Sequence, residues 1–130
     1  MKILVVDDEK DIRTIARLSL EKLGGMSVLE AGSGPEALEI ATREAPEAIL
    51  LDVMMPEMDG TATLAALRAN AATAAIPVIF LTAKALPGEV ERLKALGARD
   101  VFTKPFEPMT LGQQVREALG PASGTAATQG

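Results

Sequence analysis

Five polar side chains stand where apolar runs of this sequence end. They are three aspartates, one threonine and one lysine: Asp7, Asp8, Asp52, Thr82 and Lys104. For any one of them, a helix cap or a solvated loop would be an ordinary explanation. Three carboxylates that converge without a counter-charge raise one another's pKa values and destabilise the fold, so the set calls for a bound cation in addition to the lysine. Magnesium suits a site with a couple of carboxylates, several waters and room for phosphate oxygens, whereas calcium prefers more protein oxygens.

An aspartate is the best candidate nucleophile in this set. The chain contains no histidine and no cysteine, which excludes Ser-His-Asp and Cys-His catalysis and also zinc sites built from those residues. A carboxylate can attack a phosphoryl group and form an acyl phosphate. We expect Asp52 to be this nucleophile, with Asp7 and Asp8 holding the metal. Thr82 and Lys104 would bind the phosphoryl oxygens, and the set would then supply the positioning and charge neutralisation that phosphoryl transfer requires.

The elements that must position these residues alternate along the chain. Five short runs rich in valine, isoleucine and leucine predict buried strands, at residues 3–6, 26–29, 49–51, 78–81 and 101–102. Segments of helical period lie between them. Strands that are apolar on both faces and alternate with helices predict an α/β fold, in which helices cover both sides of a five-stranded parallel sheet. Ligands bind outside the carboxyl ends of the strands in such sheets, so we expect the five polar residues to converge at one edge.

Glycine and proline residues predict where the helices and the domain end. Gly24-Gly25 closes the first helix, and the fifth is predicted to begin near Glu107-Pro108 and to stop at Gly120-Pro121. We therefore assign residues 1–120 to one domain. The small polar tract 121–130 has no apolar anchor, and we interpret it as a disordered tail or a linker stub.

Composition narrows the classes of function. The chain has 130 residues, of which 48% are hydrophobic and 24% charged, as expected for one domain with a core. A formal net charge of -5 and an aromatic content of 2% argue against direct binding of nucleic acid. No stretch approaches the roughly 20 apolar residues of a membrane helix, and the apolar start runs into acidic residues without a cleavage site. We expect a cytoplasmic protein that does not associate with membranes.

Four short motifs together are typical of a known family. They are Val5-Val6-Asp7-Asp8-Glu9, the segment 51–60 with sequence LDVMMPEMDG, Leu81-Thr82-Ala83 and Thr103-Lys104-Pro105-Phe106. Over residues 1 to about 119 the chain resembles the receiver domain of two-component response regulators, in particular the stand-alone chemotaxis-regulator type. The resemblance implies a doubly wound, flavodoxin-like (βα)5 fold with strand order 2-1-3-4-5. It also implies that the phosphohistidine of a histidine kinase or of a histidine phosphotransfer protein donates a phosphoryl group to Asp52.

The resemblance also implies a metal site and an activity. Asp8, Asp52 and the backbone carbonyl of Met54 would ligate Mg²⁺, and Asp7 would act largely through bound water. The domain would catalyse its own phosphorylation and its later autodephosphorylation, without turning over an external substrate.

The switch that the resemblance implies departs from the family pattern at one position. Lys104 would pair with the phosphoryl group, Thr82 would move to hydrogen-bond it, and the Lys104-Pro105 peptide would be cis. The family usually has an aromatic residue three positions before the lysine, where this chain has Val101. Phe102 follows, but the alternation of side chains along a strand directs it to the opposite face of the sheet.

Output would pass through a protein surface. By resemblance, a downstream protein target would bind the face between the fourth and fifth helices, roughly residues 87–119. We expect a monomer or a weak dimer that forms on phosphorylation. An alternative is that the chain is a receiver domain from a larger response regulator or hybrid kinase, with residues 121–130 as the start of a linker.

Two other functions are weighed against this one. The segment 32–37, with sequence GSGPEA, fits a dinucleotide-binding fingerprint, and Asp52 lies twenty residues beyond Gly32. Pro35 removes a backbone donor from that turn, however, and the segment follows the second strand. A phosphatase with an aspartate nucleophile would need an Asp-x-Asp pattern, which Asp7-Asp8-Glu9 does not supply.

Overall fold

Strands and helices alternate along the chain, as the sequence predicts. The computed structural model of the protein describes residues 1–84 and 86–120. The strands are β1 (Lys2–Val6), β2 (Ser27–Ala31), β3 (Ala48–Asp52), β4 (Val78–Thr82) and β5 (Asp100–Thr103). The helices are α1 (Lys10–Leu18), α2 (Gly34–Glu44), α3 (Gly60–Ala69), α4 (Pro87–Ala95) and α5 (Leu111–Leu119). The predicted tail or linker stub, residues 121–130, lies outside the described residues.

The five strands form one parallel sheet in the order β2-β1-β3-β4-β5, which confirms the predicted topology. The register places Val6 beside Leu51, Asp52 beside Leu81, and Thr82 beside Thr103. The carboxyl ends of β1, β3, β4 and β5 therefore meet at one edge of the sheet. Within the described stretches, no helix is both long enough and apolar enough to cross a membrane.

Two apolar layers hold the helices against the sheet. Alternate residues of each central strand point to opposite faces, so Leu4 and Val6 belong to one layer while Ile3 and Val5 belong to the other. The first layer contains residues of α2, α3 and α4, and the second contains residues of α1 and α5. Helices thus cover both faces of the sheet, which gives the doubly wound arrangement. They exclude solvent from the sheet except at the ends of the strands.

A close backbone approach fixes the loop that follows β3. The N–H of Gly60 donates to the Val53 carbonyl at 2.9 Å, where α3 begins. A Cβ atom at Gly60 would clash with the carbonyl oxygen of Asp52. Asp59 caps the helix by accepting from the Ala62 N–H at 2.9 Å. The sequence Asp59-Gly60 therefore holds α3 directly beneath the end of the central strand.

One helix boundary and the type of one helical turn differ from the expectation. The prediction that the fifth helix begins near Glu107-Pro108 is wrong, because the Glu107 carbonyl accepts from the N–H groups of Thr110 and Leu111 in a separate turn and α5 begins only at Leu111. The first helix ends at Gly24 as predicted, but its last part, Ser19–Leu23, is a π-helical turn. The Gly24 N–H donates to the Ser19 carbonyl at 3.2 Å, five residues back, and closes this wider turn.

Candidate functional site

The sheet edge brings the predicted carboxylates together. Asp7 and Asp8 directly follow β1, and Asp52 is the last residue of β3. One carboxylate oxygen from each of the three lies within 4.8 Å of the other two. The convergence predicted from the strand ends is confirmed for these three residues.

Lys104, one residue beyond β5, reaches into the same cluster. Its Nζ lies 2.7 Å from Oδ2 of Asp7 and 3.2 Å from Oδ1 of Asp52. Asp7 is fully buried and Asp52 is 4% exposed, whereas Asp8 is exposed. One ammonium group therefore faces two buried carboxylates and a third at the rim.

Burial and mutual repulsion set the acidity of the cluster. Burial raises the pKa of Asp52 to about 6, the charge of Asp7 acts in the same direction, and Lys104 and the Met54 N–H offset only part of this. Burial alone would lower the pKa of Lys104, but its contacts with Asp7 and Asp52 outweigh it and raise that pKa above the usual value. The ammonium is charged at neutral pH, and Asp52 is an unusually basic carboxylate.

One oxygen of Asp7 has an incomplete set of partners. Its Oδ1 accepts from the Glu9 N–H at 2.9 Å. Its Oδ2 is buried and accepts no directed hydrogen bond from the described residues, so its 2.7 Å contact with Lys104 is an ion pair. With Asp7, Asp8 and Asp52 ionised, three negative charges against one positive leave the cluster at a formal charge of about -2. Hard oxygen ligands, a buried oxygen that accepts no directed hydrogen bond, and this charge fit a divalent cation of the magnesium type.

Met54 lies at the mouth of the cluster. Its N–H donates to Oδ1 of Asp52 at 3.2 Å, which places the start of the β3–α3 loop against the carboxylate. Its side chain is 75% exposed. The predicted contribution of its carbonyl oxygen to metal binding stays a prediction.

Thr82 is buried at the end of β4 and is already hydrogen-bonded. Its Oγ1 accepts from the Lys84 N–H at 3.2 Å and donates to the Lys84 carbonyl at 3.3 Å. The Lys104 N–H donates to the Thr82 carbonyl at 2.8 Å, so the ends of β4 and β5 are joined beside the site. Thr82 is thus placed next to the cluster, with its hydroxyl turned to the β4–α4 loop.

The two residues of β5 that were assigned to opposite faces do lie on opposite faces. Val101 packs against the layer that contains Phe80, and Phe102 packs against the other layer. The Lys104-Pro105 peptide is cis, as expected. Val101 therefore occupies the position of the usual aromatic residue, and Phe102 does not replace it.

Sequence reasoning missed Arg13. Its Nη1 donates to the carbonyl oxygen of Asp7 at 2.7 Å, and its Nε donates to Glu30 at 3.1 Å. The nearest signal in the sequence is a charged residue, Glu30, inside an otherwise apolar strand, opposite two arginines one turn apart on α1. Arg13 and Arg17 both bind this glutamate.

The glycine-containing segment 32–37 is occupied by its own contacts. The Gly32 N–H donates to Oε1 of Glu36 at 2.7 Å, and the Glu36 N–H donates to Oγ of Ser33 at 3.3 Å. A carboxylate thus occupies the turn in which a dinucleotide phosphate would have to lie. The segment is the capped start of α2, and it gives no support to nucleotide binding.

Comparisons with known proteins identify the family that this chain matches. The sequence matches the family described as response regulator receiver domain over residues 3–116. It is 35% identical over 130 residues to a chemotaxis protein CheY homolog of Campylobacter jejuni, and the match covers 99% of this chain and 100% of that protein. The fold is similar to that of chemotaxis protein CheY4 of Vibrio cholerae, with a TM-score of 0.83, 33% identity, and coverage of 90% of this chain and 97% of that chain.

Longer proteins also contain a similar region. The chain is 41% identical over 118 residues to the alkaline phosphatase synthesis transcriptional regulatory protein PhoP of Bacillus subtilis, covering 91% of this chain and 48% of that protein. It therefore spans about half the length of several relatives that it matches. The similarity is confined to one region of those proteins.

Proposed function

Because this chain belongs to the response regulator receiver domain family, we propose that it is a phosphorylation-activated switch whose acceptor is Asp52. The observation that carries the proposal is the position of Lys104, whose Nζ contacts both Asp7 and Asp52 at the edge of the sheet. Such a cation can neutralise a phosphoryl group on Asp52 without leaving the site. Receiver domains interact with histidine kinases or phosphotransfer proteins, and we propose a phosphohistidine of one of these as the donor.

Asp52 has the properties of the nucleophile. Its ionised carboxylate would attack the phosphorus, a P–O bond would form, and the P–N bond to the histidine would break. The imidazole would leave as the neutral ring, with the proton carried by its other nitrogen. Lys104, now shared between Asp7 and Asp52, would shift its contact toward the phosphoryl oxygens. The product is an acyl phosphate held in a buried pocket.

Receiver domains generally bind Mg²⁺ at an acidic pocket, and we propose that Asp7, Asp8 and Asp52, with the Met54 carbonyl, form that pocket here. The cation would supply charge neutralisation to the phosphoryl oxygens. The convergence of the three carboxylates and the rim position of Asp8 support this assignment. Asp7 would act largely through bound water, because its carboxylate is already tied to Glu9 and Lys104.

Thr82 and the surface beyond it are proposed to carry the output. To bind a phosphoryl oxygen, Oγ1 of Thr82 would give up its two contacts with Lys84 and release the start of the β4–α4 loop. A downstream protein would recognise the altered face from α4 to α5. We propose a monomer or a phosphorylation-dependent weak dimer, with autodephosphorylation as its reset. The cytoplasm, where such kinases transfer phosphate, is the proposed compartment.

The fraction of each relative that the match covers supports two alternative proposals about the whole protein. Full coverage of the Campylobacter CheY homolog supports a chain that signals through protein contacts alone. Half coverage of PhoP supports a receiver region of a larger response regulator or hybrid kinase. The phosphorylation chemistry proposed here is the same in both.

Acetyl phosphate tests the proposal without a kinase. Incubation with acetyl phosphate and Mg²⁺ should add one phosphoryl group, and mass spectrometry of peptides should place it on Asp52. Asp52→Asn should abolish the addition, whereas Asp11→Asn, the same change at an exposed residue of α1, should leave it intact. Addition that survives Asp52→Asn, or that proceeds fully in EDTA, contradicts the assignment. The chain has no tryptophan or tyrosine, so mass or NMR shifts replace the usual fluorescence assay.

A further inference from the structure

A side chain outside the acidic cluster holds the backbone between two of its carboxylates. Nη1 of Arg13 donates to the carbonyl oxygen of Asp7 at 2.7 Å. That carbonyl belongs to the peptide group that joins Asp7 to Asp8. Because the peptide group is planar, a contact that restrains its oxygen also restrains the Cα atoms of Asp7 and Asp8, which lie in the same plane.

The Arg13 contact is one of three that hold the turn after β1. The Asp7 N–H donates to the Ala31 carbonyl at 3.1 Å, and Oδ1 of Asp7 accepts from the Glu9 N–H at 2.9 Å. These two bonds hold the start of the turn and the Asp7 side chain. The Arg13 contact is the one that restrains the Asp7-Asp8 peptide itself.

Glu30 on β2 holds the guanidinium in place. Its Oε1 accepts from Nε of Arg13 at 3.1 Å, and its Oε2 accepts from Nη1 of Arg17 at 3.0 Å. The Arg13 side chain is only 18% exposed, whereas that of Arg17 is 46% exposed. Burial alone would raise the pKa of Glu30, but its bonds to Arg17 and Arg13 outweigh this and lower the pKa, so the anchor is ionised at neutral pH.

We propose that Arg13 is a positioning residue for the divalent-cation site, with Glu30 as its anchor. The guanidinium sets the Asp7-Asp8 peptide so that the buried carboxylate of Asp7 and the rim carboxylate of Asp8 converge on one ion. Asp8 depends most on this contact because it is exposed and lacks the burial that restrains Asp7. The inference rests on the proposed function, since it assumes that the acidic cluster binds Mg²⁺.

Charge alone predicts the opposite change in Mg²⁺ affinity when Arg13 is removed, so the direction of that change distinguishes the two explanations. Arg13 is a cation near a cluster of net negative charge, and its removal would make the site more attractive to Mg²⁺ if only electrostatics mattered. Positioning predicts weaker binding, because the ligands must then be ordered at the moment of binding. Residues that orient metal ligands typically contribute about 10- to 100-fold in affinity.

Arg13→Ala and Arg17→Ala make a matched pair. Both change arginine to alanine on α1, one turn apart, and both remove an ion pair with Glu30. The described contacts of Arg17 are with Glu21 and Glu30, and they do not include Asp7. We would titrate each purified full chain with Mg²⁺ alone, by calorimetry and by amide NMR shifts of Asp8 and Glu9, after circular dichroism has verified folding.

The expected result is an affinity for Mg²⁺ about tenfold or more weaker in Arg13→Ala, and an unchanged affinity in Arg17→Ala. Arg13→Lys, which keeps the positive charge and an ammonium donor group, should recover part of the lost Mg²⁺ affinity. Glu30→Gln should also weaken Mg²⁺ binding, but by less than Arg13→Ala does. If Arg13→Ala does not fold, the Mg²⁺ affinity of Glu30→Gln is the test instead. Unchanged or tighter binding by Arg13→Ala overturns the inference, as does equal weakening in Arg17→Ala. If the unmodified protein fails to bind Mg²⁺, the proposed metal site itself is wrong.

Discussion

Nζ of Lys104 lies 3.2 Å from Oδ1 of Asp52, and the pKa of that aspartate is nevertheless raised to about 6. Burial and the charge of Asp7 outweigh the lysine, which is shared between the two carboxylates. Additional positive charge near Asp52 would therefore stabilise its ionised carboxylate in the folded protein. Burial makes the ionised nucleophile costly to maintain and ready to accept a cation, and the lysine contact offsets only part of that cost.

Asp52→Asn is expected to stabilise the metal-free protein at pH 7. The folded pKa of about 6 lies above the unfolded value of about 3.9, so the folded state binds more protons between these values. The contribution of Asp52 to stability therefore falls as pH rises through that window. Asparagine mimics the neutral acid and removes the cost. We expect a gain of about 3 kcal/mol in the free energy of unfolding at pH 7 and almost none below about pH 4.

Urea unfolding in EDTA, followed by far-UV circular dichroism at several pH values, measures this difference. Asp11→Asn is the control, because Asp11 is exposed on α1, and its curve should follow that of the unmodified protein. Mg²⁺ should reduce the advantage of Asp52→Asn by stabilising the unmodified site. A variant that is less stable than the unmodified protein at pH 7 in EDTA would show that the lysine contact dominates.

Lys104→Met is expected to destabilise the protein strongly at neutral pH. It leaves the fully buried Asp7 and the nearly buried Asp52 without their cation, and breaking a buried pair from one side costs about 3–5 kcal/mol. The loss should shrink as pH falls, because protonation of Asp52, whose pKa is raised to about 6, removes one of the unpaired charges. Thermal unfolding at pH 7 and at pH 5, with and without Mg²⁺, gives the comparison.

Lys94→Met is the matched control for that experiment. Lys94 pairs with Asp100 at 3.7 Å, and both side chains are exposed by more than a third. An exposed pair contributes less than about 1 kcal/mol. Equal losses in the two variants would contradict the assignment of the effect to the buried charge.

The convergence of Asp7 and Asp52 was predictable from the sequence because it depends on a coarse rule. Apolar runs mark strands, strands that alternate with helices form a parallel sheet, and the residues after such strands share an edge. The rule needs only the position of each strand end to within a residue or two. Errors of that size, such as β2 at Ser27–Ala31 instead of 26–29, leave the site unchanged.

Side-chain contacts between distant elements were not predictable in this way. Arg13 on α1 contacts the Asp7 carbonyl and Glu30 of β2, and both contacts depend on how α1 packs against the sheet. The late start of α5 has a similar cause. The Pro108 carbonyl accepts from the Ser19 hydroxyl of the π-helical turn, and Glu107 closes a turn of its own. The Ser19 contact joins the π-helical turn to the approach to α5, and no local pattern encodes it.

Deletion of residues 121–130 is expected to leave the melting temperature and Asp52 phosphorylation unchanged. The prediction comes from the small polar composition of the segment and from the end of α5 within the described residues. Arg99 donates to the carbonyls of Ala118 and Leu119 at 3.0 and 2.8 Å, so part of the helix end is already satisfied. Differential scanning calorimetry of both chains tests it. A drop of several degrees would show that the segment packs on the domain.

The last prediction concerns Val101 and the route of the signal. Thr82 is hydrogen-bonded to the backbone of Lys84. Its movement toward a phosphoryl group would therefore first change the conformation of the loop after β4. Val101 is half-buried against the layer that contains Phe80 and, as a branched side chain, has few rotamers to exchange. A shift between two states needs a group whose contacts differ between them, and Thr82 is that group here.

Beryllofluoride, which mimics the phosphoryl group, should therefore perturb amide NMR shifts most in the loop 83–88 and the start of α4, and less around Val101. Ala85, within that loop, lies outside the described residues. Val101→Ala should lower stability by about 1 kcal/mol, because it removes partly buried methyl groups, and should leave phosphorylation-dependent partner binding intact. Asp52→Asn with beryllofluoride is the control and should show none of the shifts. If Val101→Ala abolished that binding while the fold and Asp52 phosphorylation were preserved, residue 101 would be part of the switch after all.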